Sequence, residues 1–279
     1  MDTRFWGPSG WKLLHVSTFL YPIHPTETQK KDMSEFLEIL PYILPCKFCR
    51  YSLSCYYETD SPSSLRNLQS RGTLTRWLWK IHNKVNNKLR TQNLNPTSNP
   101  SFQTVSNFYN KWLKTPQNYM CYLPTFWNFL FAVAYNHPKE TKYHSTPMPE
   151  CPEAVFKCTN GSEQNKWNIL PYKVRISWYK KFWKSLPKIF GNEFAGKWQE
   201  AERITCLNIK NRRSTIAWLW RMRCYLDPDF KDPYTEICTK IANYSSDCHK
   251  LKRAKTCRRK SRNQLRRQNR NTRKKALIN

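Results

Sequence analysis

Pro45-Cys46-Lys47-Phe48-Cys49-Arg50 sets two thiols three residues apart, directly after a proline suited to a helix start. At that spacing the two sulfurs can be bonded to each other. A helix N-terminus carries partial positive charge, and Lys47 and Arg50 add to it, so a thiolate is favoured there over a thiol. A stabilised thiolate leaves readily in disulfide exchange, which is what a redox-active pair requires. Two other readings stay open. Structural zinc needs two further ligands at a recognisable spacing, and the chain has no second CxxC and no HxxxH, so Cys55, His15 or His82 would complete a site only through the fold. Inert buried cysteines are the third reading, and the spacing alone implies no metal.

A second group lies downstream. His82-Asn83-Lys84-Val85-Asn86-Asn87-Lys88-Leu89 puts His82 and Asn86 four residues apart on one helical face, with Asn83 beside them and Lys88 near the end. With Trp77 and Ile81 adjacent, this helix offers hydrogen-bond donors, a cation and an aromatic surface together. Any one of these residues could belong to a solvated polar face. Combined with the CxxC, they suit a flavin nucleotide, whose ring needs apolar contact and whose pyrophosphate needs positive charge.

The elements that must carry these groups follow from apolar spacing. Trp11, Leu14, Thr18 and Phe19, with His15, form one helical face, which Gly7-Pro8-Ser9 should open and Pro22 and Pro25 should close near Tyr21. Thr26 and Gln29 form a capping box for a second helix with the face Met33, Phe36, Leu37 and Leu40, which Pro41 and Pro45 end or bend. A third helix begins near Cys46, and a fourth runs from Thr73 to Leu89 on Leu74, Trp77, Leu78, Ile81, Val85 and Leu89. The segment between Arg90 and Pro100 reads as a loop, and Phe102 to Leu113 as a short fifth helix. Twelve Trp and only six Gly point to helices with bulky faces, so the class is all-α.

At 279 residues the chain can build a core without a disulfide scaffold. Its eleven cysteines are odd in number and irregularly spaced, and the N-terminus lacks a signal-peptide pattern, so a host-cytoplasmic or viral-factory compartment, or the virion, is expected. No apolar run approaches the roughly 18 to 20 residues of a bilayer span. Net charge is +29, and residues 250 to 279 hold fourteen Lys or Arg and no acid, leaving about +15 elsewhere. Such a tail should stay disordered, either anchoring a polyanion such as nucleic acid or merely solubilising the chain.

Three ordered motifs, Trp6 to His15, Leu44 to Cys49 and Trp77 to Leu89, resemble the Erv/ALR family of FAD-linked sulfhydryl oxidases, in particular members encoded by large DNA viruses. The resemblance covers roughly residues 4 to 113 and implies a four-helix bundle with a short fifth helix and FAD in its mouth. On matching positions it implies that Trp11, His15, His82, Asn83, Asn86 and Lys88 contact the flavin nucleotide, with Tyr21 and Trp77 as further candidates. Cys49 would lie against the isoalloxazine, Cys46 would exchange with an incoming dithiol, and electrons would pass to O2 with formation of hydrogen peroxide. Clients would be protein dithiols or a thioredoxin-like carrier. The family often has a Cys where Trp79 stands, so a structural bridge of cellular members is missing here and Trp79 must substitute by packing.

The organisation expected is an FAD-binding domain over 1–115, a second helical domain over 116–249, and the basic tail over 250–279. Phe126 to Pro138 patterns like Gly10 to Pro25, with Trp127 for Trp11 and Phe131 for His15. Trp218-Leu219-Trp220-Arg221-Met222 repeats Trp77-Leu78-Trp79-Lys80-Ile81, and Ser185-Leu186-Pro187 falls where Ile39-Leu40-Pro41 would. The second domain is thus expected to be a degenerate copy without flavin, because Arg223 and Cys224 replace His82 and Asn83. Family members commonly dimerise through their first two helices, so the protein should be a homodimer or an internal pseudo-dimer, as in quiescin-type oxidases. Cys151 with Cys158, or Cys248 with Cys257, are candidate relay pairs, while Cys55, Cys121, Cys206, Cys224 and Cys238 read as packing residues. The competing function is a basic nucleic-acid-binding or virion-structural protein without redox activity.

Overall fold

A computed structural model describes residues 1–91, 97–114, 122–139 and 172–245, without the side chains of Lys47, Phe48 and Lys114. The basic tail and Cys121, Cys151, Cys158, Cys248 and Cys257 lie outside the described residues. Eleven α-helices and no strand occur among those described, as the all-α reading requires. None of these helices is long and apolar enough to cross a membrane.

Helix α1 spans Thr3–Leu20 and begins eight residues before Trp11, so Gly7-Pro8-Ser9 lies inside it instead of opening it. The Asp2 carboxylate caps it by accepting from the Arg4 N–H at 2.9 Å. Pro8 cannot serve the Arg4 carbonyl, but both residues are exposed and water can. Helix α2, Glu27–Ile43, starts with the expected Thr26/Gln29 capping box and buries Met33, Phe36, Leu37 and Leu40. Pro41 does not end it. The Leu37 carbonyl, which Pro41 has no N–H to reach, accepts instead from the Tyr57 hydroxyl at 3.0 Å.

Helix α3 spans Lys47–Thr59 with Cys46 as its cap residue, α4 is a short turn at Leu65–Leu68, α5 runs Arg71–Thr91 and α6 runs Phe102–Lys114. Leu74, Trp77, Leu78 and Ile81 of α5 are buried. Helix α1 packs on α5 and α6, and α3 packs on α2 and α5, which makes the expected bundle. Trp79 ties α5 to α6 by donating to the Pro100 carbonyl at 3.0 Å and meeting Phe102 edge-on, the connection a covalent bridge would otherwise make.

The later residues form α7 Trp127–Tyr135, α8 Tyr172–Ser185, α9 Asn192–Thr205, α10 Arg212–Leu226 and α11 Tyr234–Asn243. Helix α7 packs on α1 and α10, and α8 packs on α2. Buried residues of both halves merge into one core, in which Trp127, Trp183, Trp198 and Trp218 are fully enclosed. At Gly10 an added Cβ would stand 3.0 Å from the Phe129 ring, so α1 and α7 approach closely there.

The contacts between halves come in exchanged pairs. The offset that aligns Ile39-Leu40-Pro41 with Ser185-Leu186-Pro187 also aligns Asp32 with Trp178, Phe36 with Phe182 and Tyr42 with Lys188. Tyr42 stacks on Trp178 at 4.3 Å, and Lys188 reaches Asp32 at 3.1 Å. Phe36 meets Phe182 itself, ring centroids 6.0 Å apart.

Bonds within each half recur as well. Trp220 donates to the Asp232 carbonyl two residues before α11, as Trp79 does to Pro100 two residues before α6. Asn211 and Ser214 cap α10 reciprocally, as Ser70 and Thr73 cap α5. The His137 Nε2 lies 3.0 Å from the Ile209 carbonyl, where Tyr21 donates to the Leu68 carbonyl at 3.0 Å.

Candidate redox and cofactor site

Cys46 and Cys49 stand where the sequence puts them, at the start of α3, with the Cys49 N–H donating to the Cys46 carbonyl at 3.1 Å. Both are free thiols, and their side chains are hydrogen-bonded to each other. Cys46 is buried and Cys49 half-buried. The expected preference for thiolate is reversed at Cys49. The hydrogen bond to Cys46, burial, and the negative charge of Cys46 hold its thiol well above the ordinary value, while Lys88 and Arg50 pull it down. Dipole and cations are present, but exclusion of water and a second sulfur outweigh them.

Lys88, at the far end of α5, faces the same thiols and donates to the Ser52 hydroxyl on α3. Two turns earlier on α5, the His82 Nδ1 lies 3.0 Å from the Nε2 of His15 on α1. The Trp11 indole stacks on the His82 ring at 3.7 Å with planes 9° apart. Burial, and for His15 also the His82 charge, push His15 down to about 3, and burial takes His82 down to about 4, so both rings are neutral at ordinary pH. The His15 Nδ1 is buried with no partner among the described residues. Asn83 and Asn86 are half-buried on the same helix.

Tyr21 and Trp77 use their polar atoms within the bundle. The Tyr21 hydroxyl donates to the Leu68 carbonyl at 3.0 Å, and the Trp77 indole N–H to the Asp60 carbonyl at 3.0 Å, so both fasten the bundle. Sequence reasoning missed Tyr109, which stacks on His15 and on Phe19 at 5.0 Å each, with Trp112 6.0 Å away. Both lie on α6 at i and i+3, a spacing visible in the sequence. Cys55 is disulfide-bonded, not a packing thiol, and Cys206 and Cys224 are exposed. Among the described residues no group of His, Cys, Asp or Glu is arranged to hold a metal ion.

The residues present fit a flavin nucleotide. Trp11 and Tyr109 offer ring surface, the buried Nδ1 of His15 is a polar atom still lacking a partner, and Lys88 supplies positive charge beside the dithiol. At the positions that the sequence offsets align with Trp11, His15 and His82, other residues stand. Trp127 and Phe131 lie 6.1 Å apart at 39°, as Trp11 and His15 lie 6.2 Å apart at 39°. The Arg223 guanidinium, in place of His82, lies 5.7 Å from the Trp127 ring and 3.7 Å from Phe230, and pairs with Asp227.

Residues 8–112 match the sequence profile of the Erv1 / Alr family. The mitochondrial FAD-linked sulfhydryl oxidase ERV1 of Saccharomyces cerevisiae is 40% identical over 89 residues, which are 32% of this chain and 45% of that protein. The "Probable FAD-linked sulfhydryl oxidase R368" of Acanthamoeba polyphaga mimivirus is 36% identical over 86 residues, 31% of this chain and 59% of its own. A relative in Invertebrate iridescent virus 6 is 29% identical over 92 residues, 32% of this chain and 83% of its own length. The chain thus spans about half the length of the first two relatives. No solved structure matches. Residues 8–112 are thus similar to the Erv1 / Alr family over a little more than a third of the chain.

Proposed function

We propose that residues 1–115 act as an FAD-dependent sulfhydryl oxidase that makes disulfides in protein thiols. The observation that carries this reading is the convergence of α3 and α5: a bonded pair of thiols faces Lys88, on the helix whose His82 joins His15 and Trp11. Trp11, His15, His82, Asn83, Asn86 and Lys88 are the residues to hold the nucleotide, with Tyr109 added to them. When bound, FAD supplies a two-electron path from the dithiol to O2, which leaves as hydrogen peroxide.

In the oxidised protein Cys46 exchanges with a client dithiol. One client sulfur bonds to Cys46 and releases Cys49, and the second client thiol displaces Cys46, leaving a client disulfide and a reduced Cys46/Cys49 pair. Reoxidation removes two electrons and two protons from that pair. Lys88 and Arg50 assist, because their charges oppose the burial that keeps Cys49 protonated.

Residues 116–249 are proposed to be a flavin-free second copy of the bundle that covers α1 and α2. The exchanged contacts of Tyr42 with Trp178 and Asp32 with Lys188 support this, as does Arg223 in the place of His82. By its composition, the segment 250–279 serves as a polyanion anchor. The viral relatives support a role in host cytoplasm or a viral factory, with dithiol clients or a thioredoxin-like carrier as partners. The test is the visible spectrum of purified full-length protein. A flavin band that bleaches with dithiothreitol under nitrogen and returns in air is expected; colourless protein ends the reading.

A further inference from the structure

A cavity of about 840 Å³ opens in the second half, where the end of α7 meets the starts of α10 and α11. Lys139, Lys210, Arg212 and Arg213 line it with Tyr172 and Tyr234, and no acidic residue does among those described. None of the four cations makes an ion pair among the described residues. Four like charges around one concavity raise its potential and repel one another, a cost that an anion removes. A second hollow of about 490 Å³ shares Tyr172 and Lys210 and is lined further by Ile176, Leu207 and Ile209 with Lys180 and Asn208. A cationic chamber therefore adjoins one of mixed lining that has an apolar side.

Comparison with the first half singles out Arg212. Its counterpart in α5, Arg71, donates from Nε to the Tyr21 carbonyl at 2.6 Å. His137 aligns with Tyr21, and the Arg212 Nε is buried with no acceptor among the described residues. The guanidinium is held 4.2 Å from the centre of the Tyr135 ring. It is a fixed planar fork deprived of the internal acceptor that its counterpart has, the state in which an arginine best takes a phosphate.

We propose that this cavity binds a ligand of nucleotide size that carries linked phosphates. Arg212, Arg213, Lys210 and Lys139 take the phosphates, and the wall of Tyr172, Ile176 and Leu207 takes the nucleoside. The phosphates belong either to a free nucleoside polyphosphate or to a polynucleotide backbone. The site is separate from the redox centre and does not depend on the oxidase reading.

The test uses the full chain as purified. Binding of ATP, of inorganic tripolyphosphate and of a short single-stranded DNA is measured by calorimetry for the parent and for Lys210→Ala/Arg213→Ala, whose two side chains are exposed. ATP should bind once per chain, and the double variant should weaken it about tenfold or more. Arg212→Lys, which keeps the charge and loses the fork, should weaken it as well. Sensitivity of ATP to the variants assigns the site to a free nucleotide, and sensitivity of the DNA alone assigns it to a polynucleotide. Equal affinity of all three ligands for parent and double variant overturns the proposal, because what binds then resides elsewhere, as in the basic segment 250–279.

Discussion

The His15 Nε2 lies 3.0 Å from the His82 Nδ1, a bond between the first and fourth long helices that is lost once both facing nitrogens carry a proton. Burial lowers His15 to about 3 and His82 to about 4 from 6.5. Below about pH 6.5 the unfolded chain therefore binds protons that the folded chain refuses. Stability should be full above that pH and fall steadily toward pH 4, by on the order of 1 kcal/mol per pH unit for each ring. His15→Phe, the residue that Phe131 supplies at the equivalent place, should flatten the fall in urea midpoint between pH 6.5 and 4.5. An unchanged profile in that variant contradicts the assignment.

Cys49 is kept protonated by Cys46 and by burial, against Lys88. In reduced protein, alkylation of Cys49 followed by mass spectrometry should be slow at pH 8 and rise only above the usual thiol range. Lys88→Met should slow it further, since a cation that favours the thiolate is gone. Faster alkylation in Lys88→Met would show that Lys88 does not act on this sulfur.

Cys49→Ser should abolish oxygen consumption with dithiothreitol while leaving the flavin bound, because the residue carries electrons and does not hold the nucleotide. Normal turnover by this variant would place the redox pair elsewhere.

Tyr57 supplies the donor that Pro41 lacks, at 3.0 Å from the Leu37 carbonyl. Tyr57→Phe leaves that carbonyl without its partner and should cost about 1–3 kcal/mol, read as a lower denaturant midpoint at unchanged slope. A change below a few tenths of a kcal/mol would mean that water serves the carbonyl.

Because α7 and α8 cover α1 and α2, light scattering should give the mass of one chain, 33.6 kDa, in solution. Phe182, fully buried against Phe36, should cost about 3–5 kcal/mol when changed to alanine, and Lys188→Ala, an exposed ion pair with Asp32, less than about 1 kcal/mol. A dimer in solution would require a surface other than these two helices.

Much of the bundle was legible because helical spacing is a local property. The capping box at Thr26, the buried face of α2 and the core residues of α5 could be read from neighbours three and four apart. Two prolines depart from that pattern: Pro8, expected to open α1, and Pro41, expected to end or bend α2, both lie inside their helices. Pro8 and Pro41 break a helix by local rules, and only the exposed position of one and the Tyr57 hydroxyl beside the other explain why neither does. Of the site, the residue types and their helices are readable, but the carbonyls that the Tyr21 hydroxyl and the Trp77 N–H serve are not.

By itself the sequence determined the helices, the dithiol at the start of α3 and the polar face of α5, since each depends on residues within a few positions of one another. Tertiary structure alone decided that Cys49 keeps its proton, that His15 meets His82, and that Arg212 is left without the acceptor Arg71 has. Those outcomes depend on distance and exclusion of water between segments far apart in the chain, and no periodicity within a helix encodes either.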